Sequence, residues 1–110
     1  MFIIKQIRQI EYFKIFQCDN NYVVYNTHKP YHNGNIKGHT YVNTFKQAKR
    51  LVNLVLKRKI PYELNLYLIE SLARLGEGSY EEKAWKLLEN KKRKINSSKH
   101  HKRNLTILSE

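Results

Sequence analysis

The best candidates for catalysis or metal binding are three histidines that lie close together in the chain. His28 and His32 are four residues apart, and His39 follows soon after. Pro30 and Gly34 place the first pair in a loop, so the pair lacks the helical i, i+4 geometry of zinc-binding histidines. No Cys, Asp or Glu nearby would complete a metal site. We therefore expect no metal and no cofactor.

The histidines could still serve a metal-independent ribonuclease, in which one acts as general base and another as general acid. Lys37 or Arg50 would then stabilise the charge on the phosphate. Histidines in a loop are more often ordinary surface residues, and the first 60 residues offer only Glu11 and Asp19 as carboxylates for metal-dependent nuclease chemistry. The sequence therefore predicts a protein that is not an enzyme.

Charge is the largest departure from an average composition. The chain has 21 Lys and Arg against 9 Asp and Glu, a formal net charge of +12. Residues 1–60 and 91–110 are basic, whereas residues 61–90 carry more acidic than basic side chains. A small domain with this charge repels itself unless an anionic partner compensates. We expect that partner to be nucleic acid or a nucleoprotein, with DNA and RNA equally open, and we expect no membrane.

A basic face on the first predicted helix is the leading candidate for the binding site. Its residues fall at helical spacing opposite an apolar stripe or extend the positive charge beyond the helix: Lys46, Lys49, Arg50, Asn53, Lys57, Arg58 and Lys59. No acidic residue interrupts them. Such a face could lie along a phosphate backbone or against an acidic protein surface. The alternative is a solvated face, in which the last lysines complement the helix dipole.

The C-terminal residues are the second candidate. They contain two basic runs, which include Lys91, Lys92, Arg93, Lys94, Lys102 and Arg103. A composition of this kind builds no core, and basic tails often follow nucleic acid as disordered arms. The alternative is a solubilising extension of the third helix.

Aromatic side chains in the first half of the chain are the third candidate. Tyr12, Tyr22, Tyr25, Tyr31 and Tyr41 lie near basic residues, and exposed rings on a sheet can stack single-stranded bases. Most of them are expected to be core residues or cross-strand pairs. Tyr31, in the loop that contains Lys37, is the one expected to be exposed.

The strands are predicted from alternation and turn residues. Ile10–Gln17 and Tyr22–Thr27 flank the turn formers 19–21 and form a β-hairpin. The apolar residues before residue 10 fit a helical stripe about as well as a strand, and we favour the strand. Residues 28–38 are rich in Pro, Gly and Asn and indicate an exposed loop, after which His39–Asn43 is a short third strand.

Three helices follow. Thr44 is a candidate N-cap for a first helix that runs to about Lys59. Pro61 suits the first turn of a second helix, which ends near Gly76. The third begins with a capping box at residues 79–82 and extends to about Lys94.

The predicted fold class is α+β, with a three-stranded antiparallel sheet, a β-hairpin plus a short third strand, followed by three α-helices packed on it. Residues 1–95 form a single domain, and residues 96–110 a basic, flexible tail. The first residues lack the apolar block of a signal peptide, and the one cysteine, Cys18, allows no disulfide within the chain. We therefore predict a cytoplasmic protein.

One stretch also suggests a setting. Asn26-Thr27 at the end of a strand, followed by residues 38–43 and a helix with Ala48-Lys49, resembles small uncharacterised proteins of low-GC Gram-positive bacteria and their phages, over roughly residues 22–75. The resemblance implies a bacterial host cell and no particular activity. Three hypotheses stand: a nucleic-acid-binding protein, a phage-encoded inhibitor of a host defence nuclease in the manner of an anti-CRISPR protein, and a ribonuclease toxin.

Overall fold

The computed structural model describes residues 4–29 and 38–109, with side chains as far as Ile95. Its elements, in chain order, are β1 (Lys5–Ile10), β2 (Phe13–Gln17), β3 (Tyr22–Asn26), β4 (His39–Val42), α1 (Phe45–Leu56), α2 (Leu66–Leu75) and α3 (Gly78–Ser109). The predicted α+β class is confirmed, because an antiparallel sheet is followed by three helices.

The sheet has four strands, so the prediction of three was wrong. The chain turns sharply at Glu11 and Tyr12, and Glu11 has a φ of 53°. This turn divides what the alternation presented as one strand, so that Ile10 ends β1 and Phe13 begins β2. The segment before the hairpin is thus a strand and not a helix, which follows the favoured alternative.

The four strands pair in the order β1-β2-β3-β4, and every neighbouring pair is antiparallel. Alternate residues point to opposite faces. Phe13, Ile15, Val24 and Val42 lie on the inner face and are completely buried against the helices. The core is therefore a single layer between one sheet face and the helices.

Helix α1 begins where the sequence predicts, because the Thr44 hydroxyl accepts a hydrogen bond of 3.1 Å from the Gln47 N–H. Its buried face consists of Ala48, Leu51, Val52 and Val55. The helix ends at Leu56, earlier than the predicted end near Lys59. The chain leaves the helix through Arg58, whose φ is 56°.

Helix α2 starts at Leu66 and not near Pro61 as predicted. The chain first forms a turn, closed by a 3.3 Å bond from the Leu64 N–H to the Pro61 carbonyl. The Asn65 side chain then accepts a 2.9 Å bond from the Leu68 N–H. Asn is among the strongest N-caps, so the helix begins after Asn65.

Helix α3 begins at Gly78, which makes Ser79 a helical residue and not the cap that the capping box predicted. Its backbone stays helical to Ser109, beyond the predicted end near Lys94. The sequence contains no Gly or Pro after Gly78, so it lacks the residues that most strongly end helices. The flexibility of residues 96–110 stays a prediction. None of the described helices combines the length and apolar character needed to span a bilayer.

Candidate nucleic-acid interface

The solvent side of α1 is a basic stripe on a firmly packed helix. Lys46, Arg50, Asn53 and Lys57 are all exposed and follow one another at intervals of three or four residues. The opposite side of the helix is buried in the core. The stripe is therefore held in place by the packing beneath it.

An arginine from the first strand joins this stripe. The guanidinium carbon of Arg8 lies 5.5 Å from the centre of the Phe45 ring, and the Lys49 ammonium lies 5.0 Å from the same ring. The ring in turn contacts Tyr22, with 6.0 Å between ring centres. Cation–π attraction thus holds two like charges next to one another. We name the set Arg8, Lys46, Lys49, Arg50, Asn53 and Lys57 the α1–β1 basic surface.

Arg8 was not among the residues that the sequence singled out. It lies on a strand whose apolar residues fit a helical and an extended pattern equally well, and its approach to Phe45 depends on the sheet. Charged and polar side chains are typical of edge strands. The composition of β1, with Lys5, Arg8 and two glutamines, could therefore have identified it as an edge strand and drawn attention to Arg8.

Positive charge continues past the end of α1. Arg58 and Lys59 are exposed, and Arg58 lines an open cleft of about 270 Å³ with Lys83 of α3 and Tyr80. The Tyr80 hydroxyl donates a 2.9 Å hydrogen bond to the Lys59 carbonyl. Burial raises the pKa of Tyr80 well above its ordinary value. The segment that follows α1 is thus fixed to α3 by a protonated tyrosine.

Ion pairs lie elsewhere in the molecule. The described residues form two, Glu81 with Lys29 at 3.1 Å and Glu70 with Arg74 at 3.6 Å, and the Nδ1 of His28 contacts the Glu77 carboxylate at 3.4 Å. All involve α2, α3 or the short connection between them. Within the described part of the chain, therefore, no carboxylate neutralises the α1–β1 basic surface.

The predicted C-terminal site residues divide into three groups. Lys91 is turned inward, where its ammonium contacts the carbonyls of Tyr62 and Leu64, the latter at 3.2 Å. Lys92, Arg93 and Lys94 are exposed on α3. Lys102 and Arg103 lie on the helical backbone, but the structure does not describe their side chains. The loop residues Tyr31, His32 and Lys37 also lie outside the described residues.

The aromatic residues divide between the two faces of the sheet. Tyr12 and Tyr22 pack against the core, whereas Tyr25 and Tyr41 point to the opposite face. We name that face the outer sheet face; its residues, from the strand register, are Gln6, Gln9, Lys14, Phe16, Val23, Tyr25, His39 and Tyr41. It therefore carries rings on a polar and basic background.

His28 lies in a different place from His39. Its ring stacks on Tyr12 with 3.8 Å between ring centres, and its Nδ1 lies 3.4 Å from Glu77 Oε1. The same carboxylate oxygen accepts a 2.9 Å bond from Asn26, which is completely buried. Burial, followed by the Glu77 charge, raises the pKa of Tyr12. His39 instead lies on the outer sheet face, with its ring 5.7 Å from that of Tyr41.

These features define a small basic α+β protein in which helices cover one face of a four-stranded antiparallel sheet and cations gather on the first helix and first strand. Comparison with known protein families, with curated proteins and with solved structures finds no match.

Proposed function

We propose that the protein is a non-enzymatic binding protein whose α1–β1 basic surface contacts the phosphates of a nucleic acid, either free or within a nucleoprotein. The observation that carries this proposal is the gathering of five cations on one surface of rigid elements, with no carboxylate partner among the described residues. Holding like charges together costs free energy unless an anion compensates.

The surface suits phosphates better than bases. Lysine and arginine contact phosphate oxygens, each neutralised phosphate releases condensed counterions, and this gain is independent of sequence. The cations follow the solvent side of α1, so they offer several contacts along a line and not one pocket. We therefore propose binding that depends strongly on salt and weakly on sequence.

The exposed basic residues of α3 extend the proposal. Lys92, Arg93 and Lys94 add three cations to the chain's positive charge, and the helical backbone continues through the second basic run. We therefore propose a second set of phosphate contacts on this segment. A Lys92→Ala/Arg93→Ala variant should then bind nucleic acid more weakly than the unaltered protein.

The test compares two double variants that lose the same charge. Lys46→Ala/Arg50→Ala removes one lysine and one arginine from the proposed surface, and Arg74→Ala/Lys86→Ala removes one of each from exposed positions on α2 and α3. Affinity for labelled DNA and RNA, single- and double-stranded, is measured from about 50 to 300 mM salt. On duplex DNA the first variant should flatten the log–log salt slope by about 2, since each phosphate contact contributes about 0.9.

The control variant should change the slope much less. If both variants weaken binding equally, only the net charge matters and no particular surface binds. If the unaltered protein binds all four nucleic acids weakly and no longer binds them near physiological salt, free nucleic acid is not the partner. The same surface would then be expected to bind a protein target.

A further inference from the structure

The outer sheet face presents its rings in two rows across the strands. One row runs through Gln9, Lys14, Tyr25 and His39, and the other through Gln6, Phe16, Val23 and Tyr41. Neighbouring strands are about 4.8 Å apart, and residues two apart on one strand are about 6.7 Å apart. Four rings therefore share an area only a few strands wide.

In the part of the chain that the structure describes, no buried core residue packs on this face. Phe16, Val23, Tyr25 and Tyr41 belong neither to the buried core cluster nor to the partly buried residues packed against it. Tyr41 keeps 49 % of its surface accessible, and Phe16, Val23 and Tyr25 are half-buried. Among the described residues, the helices cover the inner side, where Val24 and Val42 are buried, and α2 also reaches the β4 edge, where Tyr67, Glu70 and Arg74 line a cleft with His39 and Tyr41.

The chemistry of the face indicates an anionic partner with flat rings. Its own residues supply four rings, one ammonium, two glutamine amides and no carboxylate, and at its β4 edge the carboxylate of Glu70 is accompanied by Arg74. The nucleobases of a single strand stack on aromatic side chains, while lysine and amide groups contact the backbone and base edges. In a duplex the faces of the bases are stacked on one another, so the rings of this face cannot stack on them.

We infer that the outer sheet face binds single-stranded RNA or DNA by stacking unpaired bases on Phe16, Tyr25 and Tyr41. This inference rests on the proposed function, because it takes nucleic acid as the partner, but it uses a different surface and a different interaction. The α1–β1 basic surface contacts phosphates, and the outer sheet face contacts bases.

Strand β1 lies between the two surfaces. Among the described strands it pairs with β2 alone, and it forms one edge of the sheet. Arg8 belongs to the α1–β1 basic surface and the next residue, Gln9, to the outer sheet face. A flexible single strand can pass from one surface to the other over this polar edge, which a stiff duplex cannot do.

The test uses single strands with and without bases. Oligonucleotides of about 12 residues, a length within the usual site size, are prepared as oligo(dT), oligo(U) and an abasic strand with the same number of phosphates. Affinities are measured by fluorescence anisotropy for the unaltered protein, Tyr25→Ala, Tyr41→Ala and Tyr41→Phe. Tyr62→Ala is the control, because it removes another exposed tyrosine that lies outside the face.

Stacking predicts that oligo(dT) or oligo(U) binds about tenfold or more tightly than the abasic strand. Tyr25→Ala and Tyr41→Ala should each remove most of that advantage, whereas Tyr41→Phe and Tyr62→Ala should keep it. The difference between oligo(dT) and oligo(U) identifies the preferred sugar. Thermal unfolding shows whether each variant is folded; if Tyr25→Ala is not, Tyr41→Ala at the sheet edge decides.

Two results would overturn the inference. If the abasic strand binds as tightly as the strands with bases, and Lys46→Ala/Arg50→Ala weakens all of them, the phosphate contacts stand and the stacking does not. If no single strand binds at any salt concentration, the stacking fails, and the binding of duplex DNA decides separately whether the phosphate contacts of the proposed function stand. A face that contacts another protein would give the second result or leave every oligonucleotide affinity unchanged in the tyrosine variants.

Discussion

At the scale of single residues, Asn26 connects the sheet to the helices. It is completely buried at the end of β3. Its side-chain amide donates to the Leu75 carbonyl at 2.7 Å and to Glu77 at 2.9 Å, and its side-chain oxygen accepts from the His28 N–H at 2.8 Å. One side chain therefore satisfies the end of α2 and the first turn after β3.

Asn26→Ala should lower the free energy of unfolding by about 2 to 3 kcal/mol. The change leaves the buried Leu75 carbonyl without this donor, and an unsatisfied buried polar group costs about 1 to 3 kcal/mol. Urea denaturation measures the effect, with Asn53→Ala on the exposed side of α1 as a control that should change stability little. A loss below about 0.5 kcal/mol would mean that water replaces the amide.

Tyr80 should make the protein less stable in alkali. Burial raises its pKa in the folded state, whereas an unfolded tyrosine ionises near pH 10. The stabilisation is therefore fully present below about pH 10 and is lost as the pH rises above it. Urea denaturation from about pH 8 to 11 measures this dependence.

Tyr80→Phe is the matching variant. It removes the bond to the Lys59 carbonyl, so we expect a loss of about 1 kcal/mol at pH 8 and a shallower fall in alkali. Tyr62→Phe, at an exposed position, should keep the fall of the unaltered protein. An equally steep fall in Tyr80→Phe would show that other groups cause it.

At the scale of elements, Lys29 holds the junction between α2 and α3. Its ammonium donates to the carbonyls of Arg74 and Gly76 at 3.0 and 2.8 Å and to the Glu81 carboxylate at 3.1 Å. The last carbonyls of a helix lack partners within the helix, and a cation there also complements the helix dipole. The segment after β3 thus closes the end of α2.

Lys29→Met keeps the apolar stem and removes the charge, and it should cost about 2 kcal/mol, since hydrogen bonds to a charged group contribute about 1.5 to 3 kcal/mol. Thermal and urea unfolding measure the loss. Lys86→Met, at an exposed position on α3, is the control and should change little. Equal stabilities of the two variants would show that the Lys29 contacts contribute no net free energy.

Local signals predicted part of these elements. The Thr44 cap and the apolar face of α1 depend on residues close in sequence, so the sequence was sufficient for them. The turn at Glu11 was missed because Glu carries no turn signal and the left-handed conformation is unusual for it. The start of α2 was misplaced because Pro61 and Asn65 both mark helix starts, and the choice between them depends on the turn between them.

The sequence likewise predicted only part of the candidate site. The basic residues of α1 follow from helical spacing alone, whereas the contribution of Arg8 requires β1 to lie beside Phe45. Likewise, Tyr25 and Tyr41 were identified as strand residues, but their common face with Phe16 and Lys14 depends on the pairing register. Contacts between distant parts of the chain carry no local signal.

At the scale of the whole molecule, the net charge of +12 should oppose folding at low salt. Raising sodium chloride from 10 to 100 mM shortens the Debye length from about 30 to about 10 Å and screens the repulsion. We therefore expect the melting temperature to rise by a few degrees, where about 1 kcal/mol corresponds to about 4 °C or more.

Lys46→Ala/Arg50→Ala should show a smaller rise, because it removes two of the charges that repel one another. Arg74→Ala/Lys86→Ala should keep more of the rise, since Arg74 lies 3.6 Å from Glu70 and is partly compensated. Identical salt dependence in all three proteins would show that the charges of the α1–β1 basic surface repel no more than the others.

The positions of the carboxylates have a further consequence. Glu77 and Glu81 lie where α2 meets α3 and Glu70 lies within α2, while the cations of α1 and β1 have no described carboxylate partner. Separated charge of this kind gives the molecule an electric dipole moment in addition to its net charge. In the field of a polyanion the protein would rotate before contact, so that most encounters begin with the basic side facing the polyanion. A larger fraction of encounters would then lead to binding.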